Sequence, residues 1–337
     1  MLCLTLAVSV WLITVRAGNA TVTTETDCPP IIIDVYAGEP VSLEMMMDDL
    51  ASVRIIYLGE FHTISRHHEV QYLILKSLFH RGLKLSLGME MFPATRQGVL
   101  DGWLESADDL DSLANELGRD RWTNIRDYER LLLFARQNRI PVLGLNASDS
   151  LVRKVARGQL SELSEAEQKH LPQDLDDLNL LYERLLRLKL RVHKAFHEKS
   201  LEHVVRAQAS RDSVMALSIV TFLTSSQGRG STMVVIAGSG HLNYGFGVPE
   251  RVRKKIELPD RIVLPTESGQ LILSEEEKRQ AVPVEITHQD LAFIRVPIAD
   301  YLHVLPLKNV RDENGLHSAR EEMAHYKSNN TLQSSEE

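Results

Sequence analysis

The sequence predicts an α/β fold: a mostly parallel sheet with flanking helices and an inserted helical subdomain. Three observations carry that expectation. Short apolar runs, "VRIIYL" (53–58), "LKLSLGMEMF" (83–92) and "IPVLGLN" (140–146), alternate with amphipathic stretches, and β-α-β-α-β order signals a parallel sheet. The runs are apolar at nearly every position, as strands buried on both faces are. A long stretch, "DLDDLNLLYERLLRLKLRVHKAFHEKSLEHVVRAQASRDSVMALSIVTFL", then lacks any glycine or proline. Its Leu181, Leu185, Leu188, Val192 and Phe196 keep helical spacing, so it reads as a long helix or helical hairpin inserted into the sheet domain.

The elements follow in order. "HEVQYLILKSLFHRG" has apolar positions 70, 73, 74, 75, 78 and 79 and stops at Gly82, an amphipathic helix with a glycine terminator. "QGVLDGWLES" and "YERLLLFARQN" read as further helices. After the helical segment, placed at about 150–226, "STMVVIAGSGH" returns to the buried-strand pattern, and "RIVLP" and "LAFIRVPI" are further strand candidates. The globular domain is expected over 46–305, preceded by a lead-in linker at 21–45 and followed by a polar tail, 306–337, whose composition predicts disorder. Residues 1–20 contain the apolar run "MLCLTLAVSVWLITV" and then the small-residue stretch "AGNA", which suits a secretory signal cleaved after Ala20; a retained N-terminal anchor is the alternative. The run is shorter than the roughly 20 residues a membrane-spanning helix needs.

The 337 residues are 43% hydrophobic and 25% charged, ordinary values for a globular protein, and the formal net charge of −8 argues against nucleic acid as a partner. Two cysteines, Cys3 and Cys28, offer neither a disulfide framework nor a cysteine metal site once the first leaves with the signal.

Chemistry concentrates at strand ends. "IIYLGEFH" and "VVIAGSGH" share one grammar, an apolar run followed by Gly-x-x-His, which puts His62 three residues past Gly59 and His241 three past Gly238. Ligands of open parallel sheets sit beyond the carboxyl ends of the strands, where glycine permits a sharp turn. Glu90 and Asn146 end the two other strands, so Glu60, His62, Glu90 and His241 are expected to converge. Two histidines and two carboxylates suffice to hold a divalent metal ion, or to act as acid and base without one. Secondary candidates are His193 and His197 at i, i+4 spacing, where a solvated helix face is the better reading. At most one of His67 and His68 is expected to join the pocket, because adjacent residues on a helix face different ways. One of Arg211 and Asp212 is expected to face inward, and Arg126 and Tyr128 are ambiguous in the same way.

At these residues the chain resembles the ChaN family of haem-binding proteins, within the wider Tiki, TraB and erythromycin esterase superfamily. The matching pieces are "YLGEFH", "LSLGMEMF" followed by "Q" and "LDGW", "FARQNRIPVLGLNAS" with "LVRKVARGQL", "AQASRDSVMALSI", and "VVIAGSGH" with "GVPERV", in order from about residue 53 to 252. The resemblance implies a sheet core with a helical segment between its halves, haem as cofactor, and an exported protein of the bacterial periplasm or envelope in iron or haem uptake. Homodimerisation, envelope transport partners and membrane association remain open. Through the wider superfamily it also implies the alternative of a metal-dependent hydrolase using Glu60, His62, Glu90 and His241. Haem ligation in the family is associated with a tyrosine, and Tyr244, three residues past His241, is the candidate. His62 and His241 are the other axial candidates, with Arg211, Arg66 and Arg251 available for the propionates.

Overall fold

A computed structural model of the chain describes residues 30–118, 125–171, 179–190, 198–267 and 286–305. The expected signal or anchor at 1–20, the tail at 306–337, and His193 and His197 lie outside these residues.

Eight strands form one sheet in the order β2-β1-β8-β7-β3-β6-β4-β5. They are β1 (Ile31–Asp34), β2 (Glu39–Val41), β3 (Ile55–Glu60), β4 (Leu85–Pro93), β5 (Val142–Asn146), β6 (Thr232–Gly238), β7 (Asp260–Glu267) and β8 (Tyr301–Leu305). The pairs from β8 through β5 are parallel, and β1 pairs antiparallel with β8 and with β2. The fold is therefore the mostly parallel α/β sheet with flanking helices that the sequence predicts.

The helices are α1 (Leu43–Ala51), α2 (Ser65–His80), α3 (Gln97–Glu105), α4 (Leu110–Leu117), α5 (Glu129–Gln137), α6 (Asp149–Ala156), α7 (Glu165–Lys169), α8 (Leu180–Leu190), α9 (Glu198–Thr224) and α10 (Val248–Arg253). They cover both sheet faces, and the period-two alternation of each strand decides which side chain meets which layer. Ile56, Leu58, Leu87, Met89, Val234 and Ile236 pack with Leu50 of α1, Leu75 and Leu78 of α2, Trp103 of α3 and Leu132 of α5. Ile55, Tyr57, Met233, Val235 and Ile262 face the other way, onto Met215, Ile219 and Leu223 of α9 and Val248 and Val252 of α10. Both faces are buried, which is why the strand sequences run apolar without alternation. Gly82, at φ +82°, follows the last turn of α2 as the glycine stop requires.

Two expectations are corrected. Part of the lead-in at 21–45 is structured: β1 and β2 form an edge hairpin, turned at Asp34, whose carboxylate accepts from the N–H of Tyr36 and Ala37 at 3.0 Å each, and at Gly38, with φ +70°. The same span includes the start of α1, whose N-cap Ser42 accepts from Met45 N–H at 3.1 Å. The run "LAFIRVPI" (291–298) forms turns and bends instead of a strand, and the strand begins only at Tyr301. Pro297 lacks a ladder donor, and Leu291, Phe293 and Ile294 instead pack onto an aromatic cluster around Tyr182 and Phe246.

The path of the chain sets up the site. It leaves β3 through α2 to β4, continues outward to β5, crosses the helical segment α6–α9, and returns as β6 between β3 and β4. The parallel register pairs Gly59 with Ala237 and Glu60 with Gly238. The carboxyl ends of β3 and β6 thus lie side by side, and beside them stands Glu90, which is not the end of its strand as the sequence suggests but lies inside β4, just past the last β4–β6 pair, Met89 with Ile236.

Candidate functional site

The first Gly-x-x-His motif ends β3 in Glu60, which is buried and faces the α2 layer. Its carboxylate is surrounded by donors. His62 Nδ1 lies 2.6 Å from Oε1, and Tyr128 donates its hydroxyl to the same oxygen. Gln71 Nε2 donates to Oε2 at 2.7 Å, and His68 Nε2 stands 3.5 Å from that oxygen. Burial opposes charge on His62, but the hydrogen bond to Glu60 and the field of Glu90 outweigh it, and the imidazole is raised above its ordinary value. Burial and the nearby Glu60 carboxylate push the Tyr128 phenol far up.

The second motif ends β6 in Gly238 and continues to His241. Asp212 Oδ1 lies 2.5 Å from His241 Nδ1, and Glu90 Oε1 lies 3.2 Å from Nε2. Tyr182 donates its hydroxyl to the other Asp212 oxygen at 2.6 Å, and the Gly238 N–H donates to Glu90 Oε2 at 2.6 Å. Burial works against the His241 charge, but Glu90 and Asp212 prevail and hold the imidazole protonated up to about 10. Conversely, burial would raise Glu90, yet His241, His62 and the Gly238 N–H bring it down to about 2.

The two motifs therefore build equivalent stations, Tyr128–Glu60–His62 and Tyr182–Asp212–His241, with Glu90 beside the second. They meet at Gly238. A β-carbon there would stand 3.0 Å from His62 Nε2 and 3.6 Å from Glu90 Oε2, so the absent side chain is the space the first imidazole occupies. Glu60, His62, Glu90 and His241 do converge, although β3, β4 and β6 are widely separated in sequence.

They do not converge as a metal ligand set. Among the described residues no group of three or more His, Cys, Asp or Glu side chains is arranged to hold a metal ion. The physical reason is that the donor atoms are committed to each other: Glu60 accepts from three side chains, and His241 faces carboxylate oxygens through both nitrogens.

Other candidates are redistributed. Of Arg211 and Asp212, Asp212 enters the site, while Arg211 lies on the surface of α9 with Nη2 3.1 Å from Asp149 Oδ1. Arg251 is buried, donating from Nε to Ser213 Oγ at 2.9 Å and from Nη1 to Gly247 O at 3.1 Å, so it props the interior. Arg66 lies in the first turn of α2, partly exposed. Asn146 is taken up locally, its Oδ1 accepting from Ala147 N–H at 2.8 Å. Arg126 pairs at the surface with Asp111, whereas Tyr128 joins the first station. Both His67 and His68 are buried, but only His68 approaches the pocket carboxylate, in keeping with the expectation of at most one. The first turn of α2 sits over the strand end, so His68 reaches toward Glu60 while His67 Nδ1 accepts from Phe61 N–H at 3.0 Å. Gln71 and Tyr182 were missed. The only sequence signal for them was helical spacing, which places Gln71 one turn after His67 and His68.

Tyr244 lies on the loop after the second motif with φ 64° and ψ 14°, a left-handed conformation that costs a side-chain-bearing residue roughly 1 kcal/mol. Its N–H donates to Ile298 O at 2.7 Å, and its ring, half-buried, stands 6.0 Å from Phe246 in the cluster containing Tyr182, Phe293 and Ile294. Beside that cluster a groove of about 330 Å³ runs between α8 and residues 286–298, lined by Leu180, Leu188 and Phe293, by Arg184 and Arg187, and by the carboxylates of Glu183 and Asp290. Arg184 stacks on the Phe293 ring at 4.1 Å.

A parallel α/β domain with paired histidine–carboxylate stations at its strand ends is the class of protein that this fold and site define. Within that class the chain belongs to the family described as haem-binding uptake, Tiki superfamily, ChaN, which it matches over residues 46–252. A curated relative, Protein RETICULATA-RELATED 5, chloroplastic, of Arabidopsis thaliana, is 26% identical over 266 residues, covering 71% of this chain and 35% of the relative. The chain thus spans about a third of that relative's length. The fold is shared with ChaN of Campylobacter jejuni, solved with cofacially bound heme, at a TM-score of 0.60 and 19% identity over 81% of this chain and 95% of that one. A mutant of erythromycin esterase EreC in its open conformation overlaps at a TM-score of 0.41 and 14% identity over 67% of this chain and 73% of its own.

Proposed function

We propose that this protein binds haem, and that it serves iron or haem handling outside the cytoplasm. The observation that carries the reading is membership of the haem-binding family over most of the described domain. The residues present suit such a group. A porphyrin needs an apolar, aromatic surface, an axial donor and cations for its propionates. Tyr244 and Phe293, both half-buried, supply the surface over the buried Tyr182 and Phe246, and the adjacent groove supplies Arg184 and Arg187, the latter already paired with Glu183 at 2.7 Å. Tyr244 is the axial donor of this proposal, a hard oxygen ligand on a strained loop. His241, flanked by two carboxylates, has no lone pair to offer, and Arg211 is turned away from the cluster. When bound, haem supplies a ferric centre that a phenolate oxygen can ligate.

Haemin titration of the full chain tests this. A Soret band is expected, with affinity falling at least about tenfold in Tyr244→Phe. Affinity should also rise with pH, because burial raises the Tyr244 phenol and the proton must leave for the oxygen to ligate iron. No spectral change with haemin would end the proposal.

A second reading is favoured by one feature: Glu60 engages His62 Nδ1 and so assigns the basic lone pair to Nε2, the arrangement of a histidine general base. Ester or peptide turnover that Tyr244→Phe leaves intact and His62→Ala abolishes would decide for hydrolysis.

For location, the apolar run at the start of the sequence supports export to an envelope compartment, and the relative bearing the word chloroplastic in its name supports an organelle. Microscopy of the full chain fused at its C-terminus to a fluorescent protein separates these from the cytoplasm.

A further inference from the structure

We propose that Asp212 and Tyr182, both from the helical segment, are positioning residues that fix His241 as a two-sided hydrogen-bond donor, leaving proton exchange with a bound molecule to His62. The proposal rests on the strand-end cluster being a working site, the second of the two readings above, and it stands or falls independently of haem binding at Tyr244.

The argument begins with the neighbours of His241. Asp212 and Gln208 approach from α9 and Glu90 from β4; Tyr182 of α8 stands behind Asp212. A carboxylate oxygen accepts only, and one faces each ring nitrogen, at 2.5 Å and 3.2 Å. A neutral imidazole carries a lone pair on one nitrogen and would point it at a carboxylate. Only the doubly protonated ring offers a donor to both sides. The Gln208 amide nitrogen lies 3.0 and 3.1 Å from the two ring nitrogens, straddling both and selecting neither. The Tyr182 hydroxyl holds Asp212 Oδ2, which aims Oδ1 at the ring. The imidazole is 8% exposed, the Glu90 carboxylate 4% and the Asp212 carboxylate 0%, so water does not substitute for these partners. His62 differs in one decisive respect: its side chain is 31% exposed, open to a ligand arriving at the strand ends. The histidine of the second motif thus becomes a charged prop for Glu90, and that of the first becomes the working imidazole.

Nitrogen-15 NMR of the full chain labelled at histidine tests the division. His241 ring nitrogens are expected to keep imidazolium shifts across about pH 5.5 to 9, where an ordinary histidine titrates. Asp212→Asn, which removes the charge, should lower its midpoint by more than about one unit, a tenfold loss of proton affinity, while the His62 midpoint does not fall, because the His241 charge opposes protonation of His62. Tyr182→Phe should leave His241 charged but shift its Nδ1–H resonance, and an unmoved resonance would remove Tyr182 from the proposal. A wild-type His241 titrating near pH 6.5 would overturn it outright, and this measurement requires no variant to fold. If haemin fails to bind, the haem reading falls while these resonances still judge the positioning.

Discussion

Gly238 separates its neighbours by what it lacks. Its backbone has φ −55° and ψ 136°, which any residue adopts, so an alanine there meets no conformational penalty. The obstacle is steric: the added carbon would stand 3.0 Å from His62 Nε2 and 3.2 Å from Cε1. Gly238→Ala should therefore displace His62 from Glu60 at a cost of about 1–3 kcal/mol, seen as a lower melting temperature and a lost Nδ1–H signal for His62. Unchanged His62 resonances would show that the two stations are not in contact. At this scale much was legible. Glycine followed by histidine after a buried run is a local pattern, and strand-end geometry makes its two copies converge. Asp212 was legible only as one of an adjacent pair, because sequence alone does not say which side of α9 is covered. Tyr182 carried no signal, since a tyrosine on an apolar helix face looks like core until its hydroxyl partner is known.

Among elements, α3 does something its amphipathic pattern conceals. The first residue of this helix, Gln97, lies along β5: Nε2 donates to Val142 O at 2.9 Å, and Oε1 accepts from Gly144 N–H at 2.8 Å. One side-chain amide thus stands in for a missing strand at the sheet's edge. Gln97→Ala would leave both backbone groups to find water, at about 1–2 kcal/mol, lowering the melting temperature by a few degrees. A melting curve identical to wild type would show that water replaces the amide without loss. The strands over 53–146 were readable because buried parallel strands are continuous apolar runs. The β1–β2 hairpin was not, because three- and four-residue edge strands show too little periodicity to separate from a linker, even with Asp34 and Gly38 marking the turn. The run at 291–298 has the apolar content of a strand, but Pro297 and the packing onto an aromatic cluster favour turns there.

For the molecule as a whole, the buried titratable groups set a pH optimum for stability. Burial holds His67 down to about 4 and lowers His68 and His303. The unfolded chain binds protons more readily at these sites, so their contribution is lost as pH falls below 6.5 toward 4. Glu90, depressed to about 2 against an ordinary 4.5, adds stability that is present above 4.5 and lost as pH falls through 2. His241 acts oppositely: raised to about 10, its contribution is complete below 6.5 and declines as pH climbs through 10. The Glu90 and His241 shifts are one ion pair seen from its two ends. Melting temperature should therefore peak near pH 6.5 and fall on both sides, and Asp212→Asn should flatten the alkaline limb. A curve still rising at pH 9 would contradict the buried pair.

The treatment of the two sheet rims has a consequence for assembly. One rim is closed by a glutamine, and the other ends in a three-residue strand bearing Pro40, which has no hydrogen to give. Neither border invites a neighbouring molecule to extend the ladder. Copies of this protein that associate would meet through helix surfaces or through the loops at the strand tips, not through a continued sheet.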